Sequence, residues 1–334
     1  MKLAIGLAEC QEAFARWLRD SGRCAVVHAK RLQKHMNKRF SRIVLVGKVE
    51  DARVADSMAT LARHLLARGL AVHCDDSIEP DCLPDGVERR PAADLARDAD
   101  LIVAIGGDGT MLYAAQLAIG RDIPLLGINR GRLGFLTDVL PDEMIESLDA
   151  VLQGRYESDV RQLLEARLTR ADGSTVARIA LNDVVVQRHE SGRMVELETW
   201  IGGRFVNTHG GDGLVVASST GSTAYALSCG GPIIHPSLGA IVIAPISSHT
   251  LSDRPIVISH DSRIEVRLVL RSATRAQVTC DGMLLGDLDA VSRLTIEPAA
   301  SSVTLLHPPG HDYFRLLRSK LHWGRSGRSA SAES

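Results

Sequence analysis

A glycine-rich turn follows a continuous apolar run in the stretch LIVAIGGDGTML, residues 101–112. A run with no polar face is typical of a central strand in a parallel sheet, and open α/β sheets bind ligands beyond the carboxyl ends of such strands. Gly106, Gly107 and Gly109 allow backbone N–H groups to approach an anion closely, and a helix starting near Thr110 directs its positive end to the same place. The turn therefore predicts a phosphate-binding site.

The aspartate inside this turn is the first candidate for chemistry. A carboxylate repels phosphate, so we expect Asp108 either to hold a metal ion or to accept a proton. The alternative without chemistry is that Asp108 is simply the N-cap of the helix. The turn is not the GxGxxG dinucleotide fingerprint, because Leu112 stands where glycine or alanine is required, and the chain has no Walker-type lysine loop.

The second half of the chain contains further polar candidates. Asn182 and Asp183 place an amide and a carboxylate together among strand-type residues, where a strand should be polar on one face only. The pair suits the hydroxyl and amide groups of a nucleotide, and the alternative is an ordinary Asx pair at a strand edge. The stretch SSTGSTAY, residues 218–225, offers hydroxyl and backbone donors and one ring, Tyr225, that could stack on a base. The alternative is that residues 218–225 form a Ser/Thr-rich surface turn with no ligand. Asp212 is a second glycine-flanked acid.

The pattern of elements around these candidates changes along the chain. Short apolar strands alternate with amphipathic helices up to Gly154, which predicts an α/β domain with a parallel, Rossmann-like sheet. After Gly154 the apolar residues alternate with period two, with hairpin turns at Asp172-Gly173 and Asp281-Gly282. This second pattern predicts an antiparallel β-sandwich. Residues 311–323 return to helical spacing.

These patterns predict a division of the chain into segments. We expect an N-terminal extension (1–40), with the natural start at Met36 as a hypothesis, followed by the α/β domain with its GGDGT turn (41–154). The sandwich domain (155–305), a helical segment that packs back (306–324) and a disordered tail (325–334) complete the chain.

The composition favours a small-molecule protein. The net charge is −1, from 39 basic and 40 acidic side chains, which argues against partnership with nucleic acid or an anionic membrane. The six cysteines form no CxxC pair, as expected of reduced thiols. No apolar run approaches the ~20 residues of a membrane span. We therefore expect a cytoplasmic protein.

Several blocks of sequence resemble one family. The GGDGT turn is similar to that of NAD kinases, of diacylglycerol and sphingosine-type lipid kinases and, more loosely, of phosphofructokinases. The block from Asp212 to Ile258 resembles the long signature of NAD kinases, and LNDVVV (181–186) resembles their Asn-Glu or Asn-Asp motif. GINRGRLGFLT (127–137) and HDYFRLLRSKLHW (311–323) also resemble this family, in its bacterial type.

The resemblance implies a phosphofructokinase-like first domain and a reaction. ATP, with Mg²⁺ or another divalent cation, would phosphorylate the 2′-hydroxyl of the adenosine ribose of NAD and give NADP and ADP. The ATP phosphates would lie at Gly106, Gly107, Gly109 and Thr110. Asp108 would be catalytic, as the proton acceptor or as a Mg²⁺ ligand, and no other fixed protein ligand for the metal is expected.

The resemblance also implies an NAD site and an assembly. The residues expected to bind NAD are Asp108, Gly109, Asn182, Asp183, Arg193, Asp212, Thr223, Ala224, Tyr225, Ser228 and His249. Gly210 stands where the family usually has a basic residue, for which Arg193 or Arg204 could substitute. His249 is equally well explained as a structural histidine. Family members are usually homodimers or homotetramers, and we expect the same here.

Two other functions fit part of the sequence. A lipid kinase could be built on the same turn, but the 212–258 block does not support it. A sensor that binds NAD or NADP without turnover would not need Asp108, so the presence of that carboxylate favours the enzyme.

Overall fold

The computed structural model describes residues 40–131, 134–189, 194–250, 252–269 and 275–323. Residues 1–39 of the predicted extension, which include the hypothetical start at Met36, and the predicted tail at 325–334 lie outside these residues. Among the described residues, no helix is long and apolar enough to cross a membrane.

The first part of the chain forms a parallel sheet, as the sequence predicts. The strands lie in the order β3-β2-β1-β4-β5, and every pair is parallel. Strand β4 is buried along its whole length because both of its faces are covered. The strands are β1 (Arg42–Gly47), β2 (Ala71–Asp75), β3 (Glu88–Arg90), β4 (Leu101–Gly106) and β5 (Leu125–Asn129).

Three helices belong to this half: α1 (Ala52–Ala67), α2 (Asp108–Ala118) and α3 (Met144–Leu152). Helix α1 is capped by Asp51, whose side chain accepts a hydrogen bond from the N–H of Arg53. Short 3₁₀ segments at Pro80–Cys82 and Pro141–Glu143 interrupt the loops, and the second leads into α3.

The start of α2 differs from the sequence-based expectation. The helix begins at Asp108, two residues before Thr110, and its N-cap is Gly107, which has no side chain to cap it. The alternative interpretation of Asp108 as the N-cap is therefore wrong. Asp108 is the first helical residue, and its carboxylate is available for contacts outside the helix.

The second part of the chain is antiparallel, and it forms the predicted sandwich. One sheet has six strands in the order β13-β12-β11-β8-β15-β16, and strands β6, β7, β9, β10, β14 and β17 form the antiparallel part of the other. Apolar side chains from both sheets, such as Leu164, Val186, Val216 and Ile264, are buried in one cluster between them. The predicted turns at Asp172-Gly173 and Asp281-Gly282 are confirmed as the β6–β7 and β15–β16 connections.

The bounds of the remaining elements are as follows. The strands are β6 (Glu157–Thr169), β7 (Thr175–Ala180), β8 (Asp183–Arg188), β9 (Val195–Ile201), β10 (Arg204–Gly211), β11 (Gly213–Ser218), β12 (Ala240–Ile246), β13 (Ile256–Ser259), β14 (Ile264–Leu268), β15 (Ala276–Cys280), β16 (Met283–Leu288) and β17 (Arg293–His307). A 3₁₀ turn at Thr220–Thr223 precedes the short helix α4 (Tyr225–Ser228), and α5 is Tyr313–Leu321.

Strand β17 connects the two halves. Its 15 residues pair with β6 and β14 in the sandwich, and near its end Leu305 pairs in parallel with Leu125 of β5. The parallel sheet and one sheet of the sandwich therefore form a continuous 11-stranded sheet. This continuity places the ends of β4 and β5 beside the sandwich.

Candidate active site

The glycine-rich turn lies at the carboxyl end of β4, as predicted. A Cβ on Gly106 would come within 2.3 Å of the Thr110 hydroxyl oxygen, so the turn closes tightly against the first turn of α2. Gly107 and Gly109 are exposed, and a Cβ on either would meet no atom within 4 Å. The backbone at the N-terminus of α2 is thus open to an anionic ligand.

The Asp108 carboxylate is fixed by the segment that follows β5. One oxygen accepts a hydrogen bond of 2.9 Å from the N–H of Leu136, and the other accepts one of 3.0 Å from the N–H of Phe135. A Cβ on Gly134 would come within 2.1 Å of the same carboxylate. A carboxylate has about four lone-pair sites, so about two remain for a hydroxyl or a cation. Sequence reasoning found Asp108 but missed Gly134.

One cavity of about 310 Å³ opens beside this turn, at the carboxyl ends of β1 and β2. Gly109 and Thr110 line it together with Lys48, Asp75 and Tyr113; we call it the β1–β2 cavity. Lys48 follows β1 directly, and its ammonium group supplies the positive charge that phosphate groups need. The sequence analysis missed Lys48, although its position just after a parallel strand was a usable signal.

A second cavity, of about 320 Å³, lies on the sandwich side of α2. Leu112 of α2 lines it, together with Asn182, Asp183, Ala224 and Tyr225; we call it the β8–β15 cavity. Four predicted site residues therefore meet here. Because Thr110 lines the first cavity and Leu112 lines the second, the first turns of α2 border both.

The backbone at Asn182 is tightly packed. A Cβ on Gly221 would come within 2.1 Å of the Asn182 carbonyl oxygen, and the Ser218 hydroxyl donates a 2.5 Å hydrogen bond to the carbonyl of Leu181. Glycine at 221 thus permits the 218–225 stretch to lie directly against the Asn182-Asp183 turn.

Asp183 is a buried acid with an unusual protonation equilibrium. Its side chain lies in the β8–β15 cavity, and the residue is 7% exposed. Burial, and then the negative charge of Asp281, raise the pKa of Asp183 to about 7, against a smaller opposing effect of the Tyr225 N–H. At neutral pH the carboxyl group of Asp183 is therefore poised between its neutral and ionised forms.

The hydroxyl groups of the 218–225 stretch are used inside the protein. Ser219 and Ser222 are buried and donate to backbone carbonyls, and Thr223 donates to the carbonyl of Thr220 at 3.3 Å. The sequence suggested these hydroxyls as ligand donors, whereas here they hold the stretch in place. Ser228 is exposed on α4, outside the residues that line the cavity.

Asp212 and His249 lie in a third cavity, of about 630 Å³, with Arg188. The Arg188 side chain donates a 2.6 Å hydrogen bond to the Asp212 carboxylate. Arg204 begins β10, and Gly210 lies six positions further along the strand, about 20 Å away. Arg193 lies outside the described residues. Arg188, which sequence reasoning missed, is the basic residue beside Asp212.

Behind the site, one buried ionic network joins the two halves. The Asp138 carboxylate accepts hydrogen bonds from the rings of His307 and His311, and Asp159 pairs with Arg161, which donates to Thr220. Burial would lower the pKa of His307, but its bond to Asp138 and the nearby Asp159 carboxylate outweigh this and raise the pKa to about 9. The network therefore connects the segment 134–138, whose N–H groups donate to Asp108, with the 218–225 stretch.

The fold and the site define a class. A carboxylate stands on the first turn of a helix whose open N-terminus borders a lysine-containing cavity on one side and a polar, tyrosine-bearing cavity on the other. This arrangement suits a kinase, with one cavity for a phosphate donor and one for a second polar substrate on the helix that carries the carboxylate.

Comparisons with known proteins agree with that class. The family models for the ATP-NAD kinase N-terminal and C-terminal domains match residues 3–156 and 181–307. The chain belongs to the ATP-NAD kinase family. It is 44% identical over 292 residues to the NAD kinase of Methylococcus capsulatus, covering 86% of this chain and 99% of the relative. It is 43% identical over 293 residues to the NAD kinase of Nitrosococcus oceani, covering 87% of this chain and 99% of the relative.

Solved structures show the same fold. The yeast NADH kinase complexed with NADH superposes with a TM-score of 0.80 at 24% identity, covering 87% of this chain and 89% of that one. An Archaeoglobus fulgidus NAD kinase in complex with ATP has a TM-score of 0.61 at 26% identity, covering 84% of this chain and 98% of that one. The family match extends well beyond the glycine-rich turn, through residues 181–307.

Proposed function

We propose that this protein transfers the terminal phosphate of ATP to the 2′-hydroxyl of the adenosine ribose of NAD, giving NADP and ADP. One observation carries the proposal: the Asp108 carboxylate, fixed by two N–H donors, lies on the helix that borders both the β1–β2 and the β8–β15 cavities. Family membership supplies the identity of the substrates.

The β1–β2 cavity is the proposed site of the ATP phosphates. The open backbone at Gly107 and Gly109 offers N–H groups, and the N-terminus of α2 adds a partial positive charge. Lys48 adds a full positive charge at the same cavity. These three features favour a polyanion on this side of Asp108, and a cation carried by the phosphates would offset the carboxylates of Glu50 and Asp75, which line the same cavity. The Tyr113 ring, 41% exposed, also lines this cavity and offers an aromatic face to the donor nucleotide.

The β8–β15 cavity is the proposed site of NAD. Asn182 offers amide donor and acceptor groups, Asp183 offers a carboxyl group, and the exposed ring of Tyr225 offers a face for an aromatic base. Asp212 and His249 remain proposed NAD contacts in the neighbouring cavity, with Arg188 replacing the basic side chain absent at Gly210. Thr223 and Ser228 flank Tyr225, and their proposed role rests on family resemblance.

In the proposed mechanism, Asp108 accepts the proton of the attacking ribose hydroxyl. A secondary hydroxyl is a poor nucleophile, and a positioned base contributes on the order of 10²- to 10⁴-fold in rate. The bonds from Phe135 and Leu136 hold the carboxylate in one orientation, so little reorganisation is needed during the transfer. The remaining acceleration comes from alignment of the two substrates across α2 and from neutralisation of phosphate charge.

A divalent cation fits the oxygen donors on this side. The carboxylates of Glu50 and Asp75 line the β1–β2 cavity, and Asp108, with lone pairs left after its two N–H bonds, begins the helix that borders it; all three are hard oxygen donors of the kind that Mg²⁺ prefers. A cation carried by ATP would neutralise charge on the transferred phosphate. Among the described residues, the group of three metal-ligating side chains within reach of one another is Asp138, His307 and His311, which lies away from both substrate cavities.

On the family resemblance alone, we also propose that the protein acts in the cytoplasm as a homodimer or homotetramer. Size-exclusion chromatography with light scattering tests the assembly. A single species of monomer mass at micromolar concentration would overturn it.

The proposed reaction is tested by incubating the purified protein with NAD, ATP and Mg²⁺ and detecting the product with an NADP-specific dehydrogenase. That dehydrogenase responds only to a 2′-phosphate, so the assay reports both transfer and its position. We expect NADP and ADP in equal amounts. ADP release without NADP, or phosphorylation of diacylglycerol or sphingosine in a parallel assay, would overturn the proposal.

A further inference from the structure

Asp281 stands at a point where two parts of the proposed NAD site meet. It is the first residue of the β15–β16 turn and has a left-handed backbone, with φ of 49°. Its carboxylate points back to the turn between β7 and β8, where it accepts hydrogen bonds from three successive N–H groups, those of Leu181 (2.7 Å), Asn182 (2.8 Å) and Asp183 (3.2 Å). Its own N–H donates to the Asp183 carbonyl at 3.0 Å.

The same carboxylate is connected to the helix that bears Asp108. Gln116 of α2 donates to the Ile179 carbonyl at 3.0 Å and to the Asp281 carboxylate at 3.4 Å. Asp281 therefore fixes the backbone of the Asn182-Asp183 turn and also links it to α2. Every backbone donor of this turn is directed to Asp281, so the turn has no N–H left for the Asp183 side chain.

The charges around the two acids are unbalanced. Among the residues described, no arginine or lysine forms an ion pair with Asp183 or Asp281, and none lines the β8–β15 cavity. The titratable groups close to Asp183 are Asp281 and Cys280 on β15 and its turn, and Tyr225 and Cys229 on and beside α4. None of these groups supplies a positive charge; Arg178 on β7 acts on Cys280, whose pKa it lowers against the larger effect of burial.

Two adjacent carboxyl groups in such surroundings share one negative charge near neutral pH. Asp281 has three N–H donors and Gln116 to stabilise its ionised form, whereas Asp183 has only the influence of the Tyr225 N–H. Burial raises the pKa of Asp281 as well, but the bonds from the three N–H groups and from Gln116 oppose that effect, so the shared charge resides on Asp281. Burial and the charge of Asp281 raise the pKa of Asp183 to about 7, in agreement with this geometric argument.

We propose that Asp281 is a positioning residue that holds the Asn182-Asp183 turn and keeps Asp183 as a neutral acid, so that Asp183 donates a hydrogen bond to the bound nucleotide. The acceptor would be a ring nitrogen, a carbonyl oxygen or a hydroxyl oxygen of NAD. The proposal rests on the proposed assignment of the β8–β15 cavity to NAD, and it assigns the chemistry of one contact within it.

Three variants test the proposal through the Michaelis constant for NAD as a function of pH. In the wild type we expect this constant to rise above about pH 7, by up to tenfold per pH unit, as Asp183 ionises. Asp183→Asn cannot ionise but still donates, so its constant should stay near the low-pH wild-type value throughout. In Asp281→Asn, which removes the neighbouring negative charge, the rise should begin at lower pH.

A matched control is Asp172→Asn, which alters the other aspartate-glycine hairpin turn, where the carboxylate accepts from the N–H of Ser174 and the residue is exposed. Its pH profile should coincide with that of the wild type. A tenfold or greater rise in the constant for Asp183→Asn at every pH would overturn the proposal, because it would mean that the ionised carboxylate is needed. A profile for Asp281→Asn that coincides with the wild type would overturn it as well.

A second measurement separates this proposal from the proposed function. In protein labelled with carbon-13 at the aspartate carboxyl groups, the resonance missing from Asp183→Asn should titrate near pH 7 in the wild type, and at lower pH in Asp281→Asn. This result needs neither substrate nor turnover. An Asp183 resonance that titrates near 4 would overturn the proposal even if the protein makes NADP, and absence of NADP would leave this test intact.

Discussion

The Asp108 carboxylate occupies the space that a side chain at position 134 would fill. A Cβ placed on Gly134 would come within 2.1 Å of the Asp108 Oδ1 atom and within 2.4 Å of the Thr137 hydroxyl oxygen. The next two residues, Phe135 and Leu136, donate their N–H groups to the same carboxylate. The orientation of Asp108 thus depends on a glycine 26 residues away in sequence.

Gly134→Ala should therefore impair catalysis by displacing Asp108. A misplacement of about 1 Å of a reacting group costs on the order of 10²-fold in rate, so we expect kcat to fall by roughly that factor. Steady-state kinetics check this expectation. Gly131→Ala is the matched control, because a Cβ there meets no atom within 4 Å. Equal kcat values for the two variants would contradict the proposed role of the contact.

This contact also shows where sequence reasoning reaches its limit. The GGDGT turn could be predicted because strand, turn and helix are adjacent in the sequence, and the alternation of apolar residues was sufficient for both the parallel sheet and the sandwich. The contacts of Asp108 with Gly134, and of Asp281 with residues 181–183, depend on how distant segments pack. Arg188 was missed for the same reason, since its pairing with Asp212 is set by the register of β8 and β11.

Two exposed tyrosines, Tyr113 on α2 and Tyr225 on α4, should act on different substrates. Tyr225 is 36% exposed and lines the β8–β15 cavity, whereas Tyr113 is 41% exposed and lines the β1–β2 cavity. Loss of base stacking costs about 1 to 3 kcal/mol. Tyr225→Ala should raise the Michaelis constant for NAD by roughly tenfold and leave that for ATP almost unchanged; Tyr113→Ala should do the reverse. If both variants affected the same substrate, the assignment of the cavities would be wrong.

Lys48 should contribute to ATP binding through its charge. Lys48→Met keeps most of the side-chain length and removes the ammonium group, so we expect a rise of on the order of tenfold in the Michaelis constant for ATP. Initial rates at saturating NAD provide the measurement. Arg53→Gln removes a nearby charge that pairs with Asp51 and does not line the cavity, so it should have little effect. A Lys48→Met variant with unchanged ATP dependence would contradict the phosphate assignment.

The buried network behind the site should make stability depend on alkaline pH. The folded protein raises the pKa of His307 to about 9 from an ordinary value of 6.5, so its protonation stabilises the fold fully below pH 6.5. This stabilisation is lost as the pH rises through 9. We expect the free energy of unfolding of the wild type to fall over this range by on the order of 2 kcal/mol.

Denaturant titrations at several pH values test this dependence. His307→Gln should be less stable than the wild type at pH 6.5, and its stability should change little up to pH 9. His189→Gln, at an exposed histidine paired with Asp287, serves as the control and should follow the wild-type curve. A His307→Gln variant that keeps the full wild-type slope would show that another group is responsible.

The most direct test of the account compares NADP formation by the wild type and by Asp108→Asn. The asparagine can still accept the Leu136 N–H through its carbonyl oxygen, but it cannot take up the ribose proton. We predict that Asp108→Asn loses at least 10²-fold in kcat while calorimetry shows NAD binding close to that of the wild type. An Asp108→Asn variant with wild-type turnover, or a folded one that no longer binds NAD, would contradict the role assigned to this carboxylate.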